Sequence, residues 1–179
     1  MNTRMNHQKL LQLTGLFTWG MVGIPLIYAW RQGVAYNGLQ SESLSGWVFS
    51  FLAFGLLYIL VSGNLNLYRR GWRDATYLFF LTVAAIAVSY YSATGLGSVL
   101  LMVIAGILPW LLPLSIGMFW LVLSHLMVMP VFIYGPEDLS WWEAFMQSLL
   151  YAGFSSFVFA TGYVAKLQAS ARDEQRRLN

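Results

Sequence analysis

The side chains that could do chemistry in this chain are few and far apart. Its 179 residues include two histidines, His7 and His125, seven carboxylates and no cysteine. Disulfides, thiolate metal sites and cysteine nucleophiles are therefore excluded. Nucleophilic triads, zinc sites and carboxylate pairs need His, Asp or Glu gathered in space. Here His7 lies in a basic N-terminal stretch, while His125 stands inside the uncharged run "LVLSHLMVMP". No H-E-x-x-H, G-x-S-x-G or phosphate-cradling G-x-x-x-x-G-K-[ST] occurs. "TGLGS" at 94–98 is rich in glycine but has no lysine, and it reads as a turn. Neither cofactor nor metal is expected, nor catalysis by this chain as it stands.

His125 remains a candidate by another route. An ionisable residue within an apolar segment is costly and is a functional hypothesis by default. Two readings stand. The imidazole can be satisfied structurally, by a neighbouring helix or by the adjacent Ser124. Alternatively it senses a proton or ligand, because a buried histidine can titrate near physiological pH.

The elements that hold these residues follow from composition. Hydrophobic residues make up 58% and charged residues 9% of the chain, against about 25% charged in soluble domains. Residues 75–136, 62 positions, contain no Asp, Glu, Lys or Arg. A bilayer-spanning helix takes roughly 20 apolar residues, so that run accommodates three. The expectation is an all-α polytopic membrane protein with six transmembrane helices: Leu10–Trp30, Gly46–Gly63, Ala75–Ala93, Leu96–Leu112, Leu114–Tyr134 and Ala144–Ala165. Thr94–Gly95 separates the third and fourth. Pro109 and Pro113 favour a break between the fourth and fifth, since proline lacks the N–H that continues a helix. "LLQLTGLFTWGMVGIPLIYAW" is too long for a signal-peptide core and no A-x-A-like site follows, so it reads as a retained first span.

Orientation comes from the basic residues, which accumulate in cytoplasmic loops. Six spans place Arg4, Lys9, Arg69, Arg70, Arg73, Lys166, Arg172, Arg176 and Arg177 on one side and Arg31 on the other. Both termini are then cytoplasmic. The net charge of +3 is accounted for by this placement, and no nucleic-acid partner is expected. Arg69, Arg70 and Arg73 form a cluster that serves as an orientation signal, attracts anionic lipid, or both. Trp30, Trp47, Tyr68, Trp72, Tyr90, Tyr91, Tyr134, Trp141 and Trp142 fall near span ends, where amphipathic rings act as interfacial anchors. In the last span, Ala152, Ser156 and Ala160 recur every fourth residue, a small-xxx-small row for close packing against another helix.

The C-terminal stretch "KLQASARDEQRRLN" is charged and helix-prone. Val164, Leu167, Ala171, Glu174 and Leu178 alternate by three and four, as the core positions of a coiled coil do. From Ala144 to Asn179 there is no proline. The last span is therefore expected to continue into a cytoplasmic coiled-coil helix, giving a six-span transmembrane sensor domain over 1–165 and the start of a signalling coiled coil over 166–179. A homodimer through this helix is the expected assembly.

"GYVAKLQASARDEQRRLN" resembles the membrane-to-kinase juncture of DesK-type sensor histidine kinases. "MPVFIYGPEDLSWWEAFMQSLLYAGFSSFVFATGY" is similar in layout to the membrane part of the same group. The resemblance implies a bacterial cytoplasmic-membrane input module that senses the state of the bilayer. A response regulator would be reached only through the kinase part. The family's phosphoacceptor motif, of the R-E-L-H-D kind, and its ATP-binding domain are absent from these residues. The best-known member's input region is usually drawn with five spans. A small transporter or channel subunit, or a membrane scaffold, are the alternative readings.

Overall fold

The computed structural model describes residues 7–32, 41–63, 65, 72–92, 94–135 and 138–178. Six α-helices account for nearly all of them: α1 (His7–Gln32), α2 (Ser41–Ser62), α3 (Trp72–Ser92), α4 (Leu96–Leu111), α5 (Leu114–Tyr134) and α6 (Trp141–Leu178). Among the described residues there is no strand. All but α4 are long and apolar enough to cross a membrane. This is the architecture of a helical, multi-pass membrane protein.

Local chemistry sets the helix ends. At the end of α2, the Gly63 N–H bonds the Ile59 carbonyl at 3.0 Å. The Ser92 hydroxyl that closes α3 meets the Thr94 hydroxyl at 2.9 Å in the short link to α4. Leu112 turns to extended backbone ahead of Pro113 and stops α4, as a residue before proline favours. The break expected around Pro109 falls only there, because α4 runs through Pro109.

The fourth apolar stretch differs most from a plain span. At 16 residues, α4 is about 24 Å long at 1.5 Å per residue, short of the ~30 Å hydrocarbon core. It is buried nearly all round and packs against α1, α3, α5 and α6. A helix enclosed by other helices need not match the bilayer, because its sides meet protein and not lipid.

Two kinds of contact set the bundle. The first is the stacking of large rings over glycines between α1 and α2. Trp19 lies 4.7 Å from Phe51, nearly parallel to it, and its indole N–H bonds the Phe51 carbonyl at 2.9 Å. The Tyr58 hydroxyl reaches the Leu11 carbonyl at 3.0 Å, over Gly15. The second is backbone on backbone around α4. A Cβ at Gly97 would stand 2.1 Å from the Ala85 carbonyl oxygen on α3, and one at Gly162 would stand 2.9 Å from the Gly106 carbonyl oxygen.

These contacts also fix direction. Gly95 faces Tyr151, Gly106 faces Gly162, and Lys166 bonds Pro109. The partners advance together along both helices, so α4 and α6 run the same way. Gly117 against Phe159 and His125 against Ser155 advance oppositely, making α5 antiparallel to α6.

Trp47 is corrected by the structure. It is not an interfacial anchor but sits in the core, 2% exposed. Trp30, Trp72, Tyr134, Trp141 and Trp142 do point outward, and Tyr68 lies outside the described residues.

Gly97→Ala is expected to destabilise the protein by about 1–3 kcal/mol, the usual range for overpacking. Gly20→Ala, with open space around its position in the interior of α1, should cost nothing and can gain up to about 1 kcal/mol from alanine's better helix propensity. Reversible unfolding in detergent micelles measures both. A neutral Gly97→Ala would mean that α3 and α4 do not touch there.

Candidate functional site

The residues singled out by spacing converge on α6, whose 38 residues form one uninterrupted helix. Ser140 and Glu143 build its first turn. The Ser140 N–H and hydroxyl donate to Glu143 Oε2 at 3.0 and 2.5 Å, and the Glu143 N–H points back at the Ser140 hydroxyl at 3.4 Å. This is a reciprocal capping box, which satisfies N–H groups that a helix start leaves open. No proline follows, and Gly153 and Gly162 do not interrupt the helix.

One face of α6 belongs to the bundle. Ala144, Ser148, Ser155, Phe159 and Gly162 are buried along it, and Ala165 and Ala169 pack against the core. Two polar contacts secure that face to its neighbours. The first involves His125 on α5. Its Nδ1 lies 2.9 Å from the Leu121 carbonyl and its Nε2 lies 3.0 Å from the Ser155 hydroxyl. A carbonyl can only accept, so Nδ1 carries the proton and donates. In the neutral ring Nε2 is then the acceptor, and Ser155 donates to it. Both ring nitrogens are satisfied in this way, and the pair ties α5 to α6.

Ser124 is the lesser partner of His125. Its hydroxyl donates to the Leu121 carbonyl at 2.8 Å and lies 3.4 Å from Nδ1. Sequence reasoning missed Ser155. The signal available was the row Ser148, Ser155, Gly162, small residues seven apart, which repeats on one side of a helix.

The second contact is the Lys166 ammonium donating to the Pro109 carbonyl at the end of α4. The last carbonyls of a helix have no partner within it, and they carry the negative end of its dipole. A cation is suited to that position. With Gly162 one turn earlier against Gly106, Lys166 secures α6 to α4 where the apolar span gives way to the charged stretch.

The opposite face is open. Val164 and Leu167 are 52% and 50% exposed, and Ala171 and Glu174 are exposed as well. The Leu178 side chain lies outside the described residues. The row expected to pack, Ala152, Ser156 and Ala160, is not the one α6 uses within its own bundle. Ser156 and Ala160 are exposed, Ala152 is half-buried, and the Ser156 hydroxyl bonds its own helix at the Ala152 carbonyl. Of the basic cluster, Arg73 is exposed in the first turn of α3, while Arg69 and Arg70 lie outside the described residues.

No protein-family model, curated protein or solved structure matches this chain.

Ser155→Ala removes the donor to His125 Nε2. It should cost about 0.6 kcal/mol, the average for interhelical hydrogen bonds in membranes, and no more than about 1.7 kcal/mol, the largest seen, by unfolding in micelles. The His125→Ala, Ser155→Ala double variant should cost no more than His125→Ala alone. Additive losses would mean that the two side chains do not act as a pair.

Proposed function

We propose that this chain is the membrane-embedded input module of a two-component sensor histidine kinase. It receives a stimulus from the bilayer or within it and passes the change through α6 to a cytoplasmic coiled coil. The observation that carries the reading is α6 itself: one uninterrupted helix, held on one face at Ser155, Gly162 and Lys166, with Val164, Leu167, Ala171 and Glu174 exposed on the other. The likeness of its end to the DesK-type juncture supports the same reading. The one-sided distribution of basic residues supports a cytoplasmic position for the far end of α6.

A physical route exists. Mismatch between hydrophobic length and bilayer thickness tilts helices at fractions of a kcal/mol per Å. A tilt or turn of α6 changes which residues meet along the coiled-coil row. A stimulus shifts such an equilibrium only by the difference in its interaction with the two states, so the two arrangements of α6 must lie close in energy. Transport is the weaker reading. His125, the ionisable side chain expected to line a pathway, has both ring nitrogens occupied, and α5 continues unbroken on either side of it.

The test is a chimera in which the phosphoacceptor and ATP-binding parts of a DesK-type kinase follow Asn179. Each inserted residue turns the helix by about 100°, whereas seven nearly restore its phase. One or two residues inserted after Lys166 should change autophosphorylation about fivefold or more. Seven should leave it near the parent level. Equal output from the one-residue and seven-residue insertions would rule out transmission through α6.

A further inference from the structure

Among the described residues, six buried side-chain polar atoms have no hydrogen-bond partner, and four of them lie at one end of the bundle. They are Trp47 Nε1 near the start of α2, Ser89 Oγ near the end of α3, Ser98 Oγ in the first turn of α4 and Ser148 Oγ early in α6. The other two, Ser62 Oγ and Trp110 Nε1, sit at the far ends of α2 and α4. Glycines bring the first group together. A Cβ at Gly97 would overlap Ser89 Oγ, so the end of α3 lies directly on the start of α4. A Cβ at Gly95 would overlap the Tyr151 hydroxyl and stand 3.3 Å from the Gln147 amide nitrogen, the two residues that flank Ser148 on α6. Gly46, next to Trp47, lies against the Tyr91 ring at the end of α3.

This end of α4 is set in from the surface. Gln147 and Tyr151, which meet Gly95, are six and ten residues past Trp141, about 9 and 15 Å along α6. Trp141 and Trp142 expose rings of the kind that mark a membrane interface. Thr94 and Gly95 are thus non-helical backbone within the membrane-spanning part, which is tolerated only where protein or water satisfies it. Protein does so in part. The Ser98 N–H donates to the Gly95 carbonyl at 3.0 Å, but the Leu96 N–H reaches Thr94 Oγ1 only at 3.4 Å. No side chain caps α4, in contrast to the capping box of α6. Thr94, Gly95 and Leu96 are half-buried and the serines behind them fully buried, so the turn is reached from outside and the hydroxyls lie deeper.

We infer that water enters the bundle at this turn and binds the hydroxyls of Ser89, Ser98 and Ser148, in a recess that opens on the face opposite the C-terminus. The face follows from direction: α4 and α6 run the same way, so α4 starts at the end where α6 begins. The sensor reading is not needed for this inference. Hydroxyls donate and accept, and a bound water needs two to four such partners. None of the residues around the turn is charged, so an ion would lack a counter-charge there. A serine within a helix often turns its hydroxyl to a carbonyl three or four residues back, as Ser50, Ser124 and Ser156 do. Ser98 has no helical turn behind it, because it is the third residue of α4, and the Gly95 carbonyl already accepts its N–H.

The chain has no cysteine, so a single introduced thiol reports on its own position, and it reacts as the thiolate, which forms in water and is suppressed in apolar surroundings. Thr94→Cys, Ser98→Cys and Ser148→Cys are placed singly in the full chain in membrane vesicles, with the C-terminal face identified by protease access to a C-terminal tag. Only variants that unfold at the parent temperature are compared. A small, charged, membrane-impermeant thiosulfonate added on the opposite face should modify all three about tenfold or more faster than Ala105→Cys deeper in α4 or Phe119→Cys on the outward side of α5. Ser98→Cys reacting no faster than Ala105→Cys, or only from the C-terminal face, would overturn the recess. Hydrogen–deuterium exchange on the unsubstituted chain checks it without any variant. The amides of Leu96 and Gly97 should exchange about tenfold or more faster than those of Ile107 and Leu108, and equal protection would mean that the start of α4 is dry.

Discussion

Around α4, backbone meets backbone. Gly97 lies against the Ala85 carbonyl of α3, and Gly106 lies against Gly162 of α6. In hydrocarbon the usual gain from burying apolar surface is missing, since lipid tails are as apolar as leucine, so association rests on packing and on hydrogen bonds. Glycines at crossings give the closest packing available. The short central helix can then be wrapped by α1, α3, α5 and α6 at once. The directions of α4, α5 and α6, and the side of α6 that remains free, follow from that arrangement.

The polar groups complement this packing. The His125–Ser155 pair joins α5 to α6, and Lys166 closes the open end of α4. Trp120 on α5 donates from its indole N–H to the Thr82 hydroxyl on α3 at 3.1 Å. Each contact links two different helices inside the bundle and leaves the outward surfaces apolar. Phe17, Phe49, Phe119 and Phe157 all point away from the bundle, a distribution suited to a hydrocarbon solvent.

Much of the helical layout was legible in the sequence because its signals are local. The long apolar runs, the Thr94–Gly95 turn, Pro113 and the proline-free C-terminal stretch mark the elements within a few residues. What faces what was less legible. Lipid and protein interior are equally apolar, so hydrophobicity separates them poorly. For this reason the enclosed α4 reads like the lipid-facing helices around it, and Trp47 resembled an interfacial ring although it is buried. Small residues are better guides, but α6 carries them on two faces. Ala152, Ser156 and Ala160 stood out by spacing, whereas Ser148, Ser155 and Gly162 make the intramolecular contacts. Partners such as Pro109 for Lys166 are set by the fold and by no local pattern.

The position of Lys166 also defines an arm. The described helix continues for twelve residues past it, to Leu178, about 18 Å at 1.5 Å per residue. With the pivot at the Lys166–Pro109 contact, a swing of about 10° displaces the far end by ~3 Å, close to the rise of two helical residues. A small angular change at that contact corresponds to a sideways step on the scale of a side chain at Leu178.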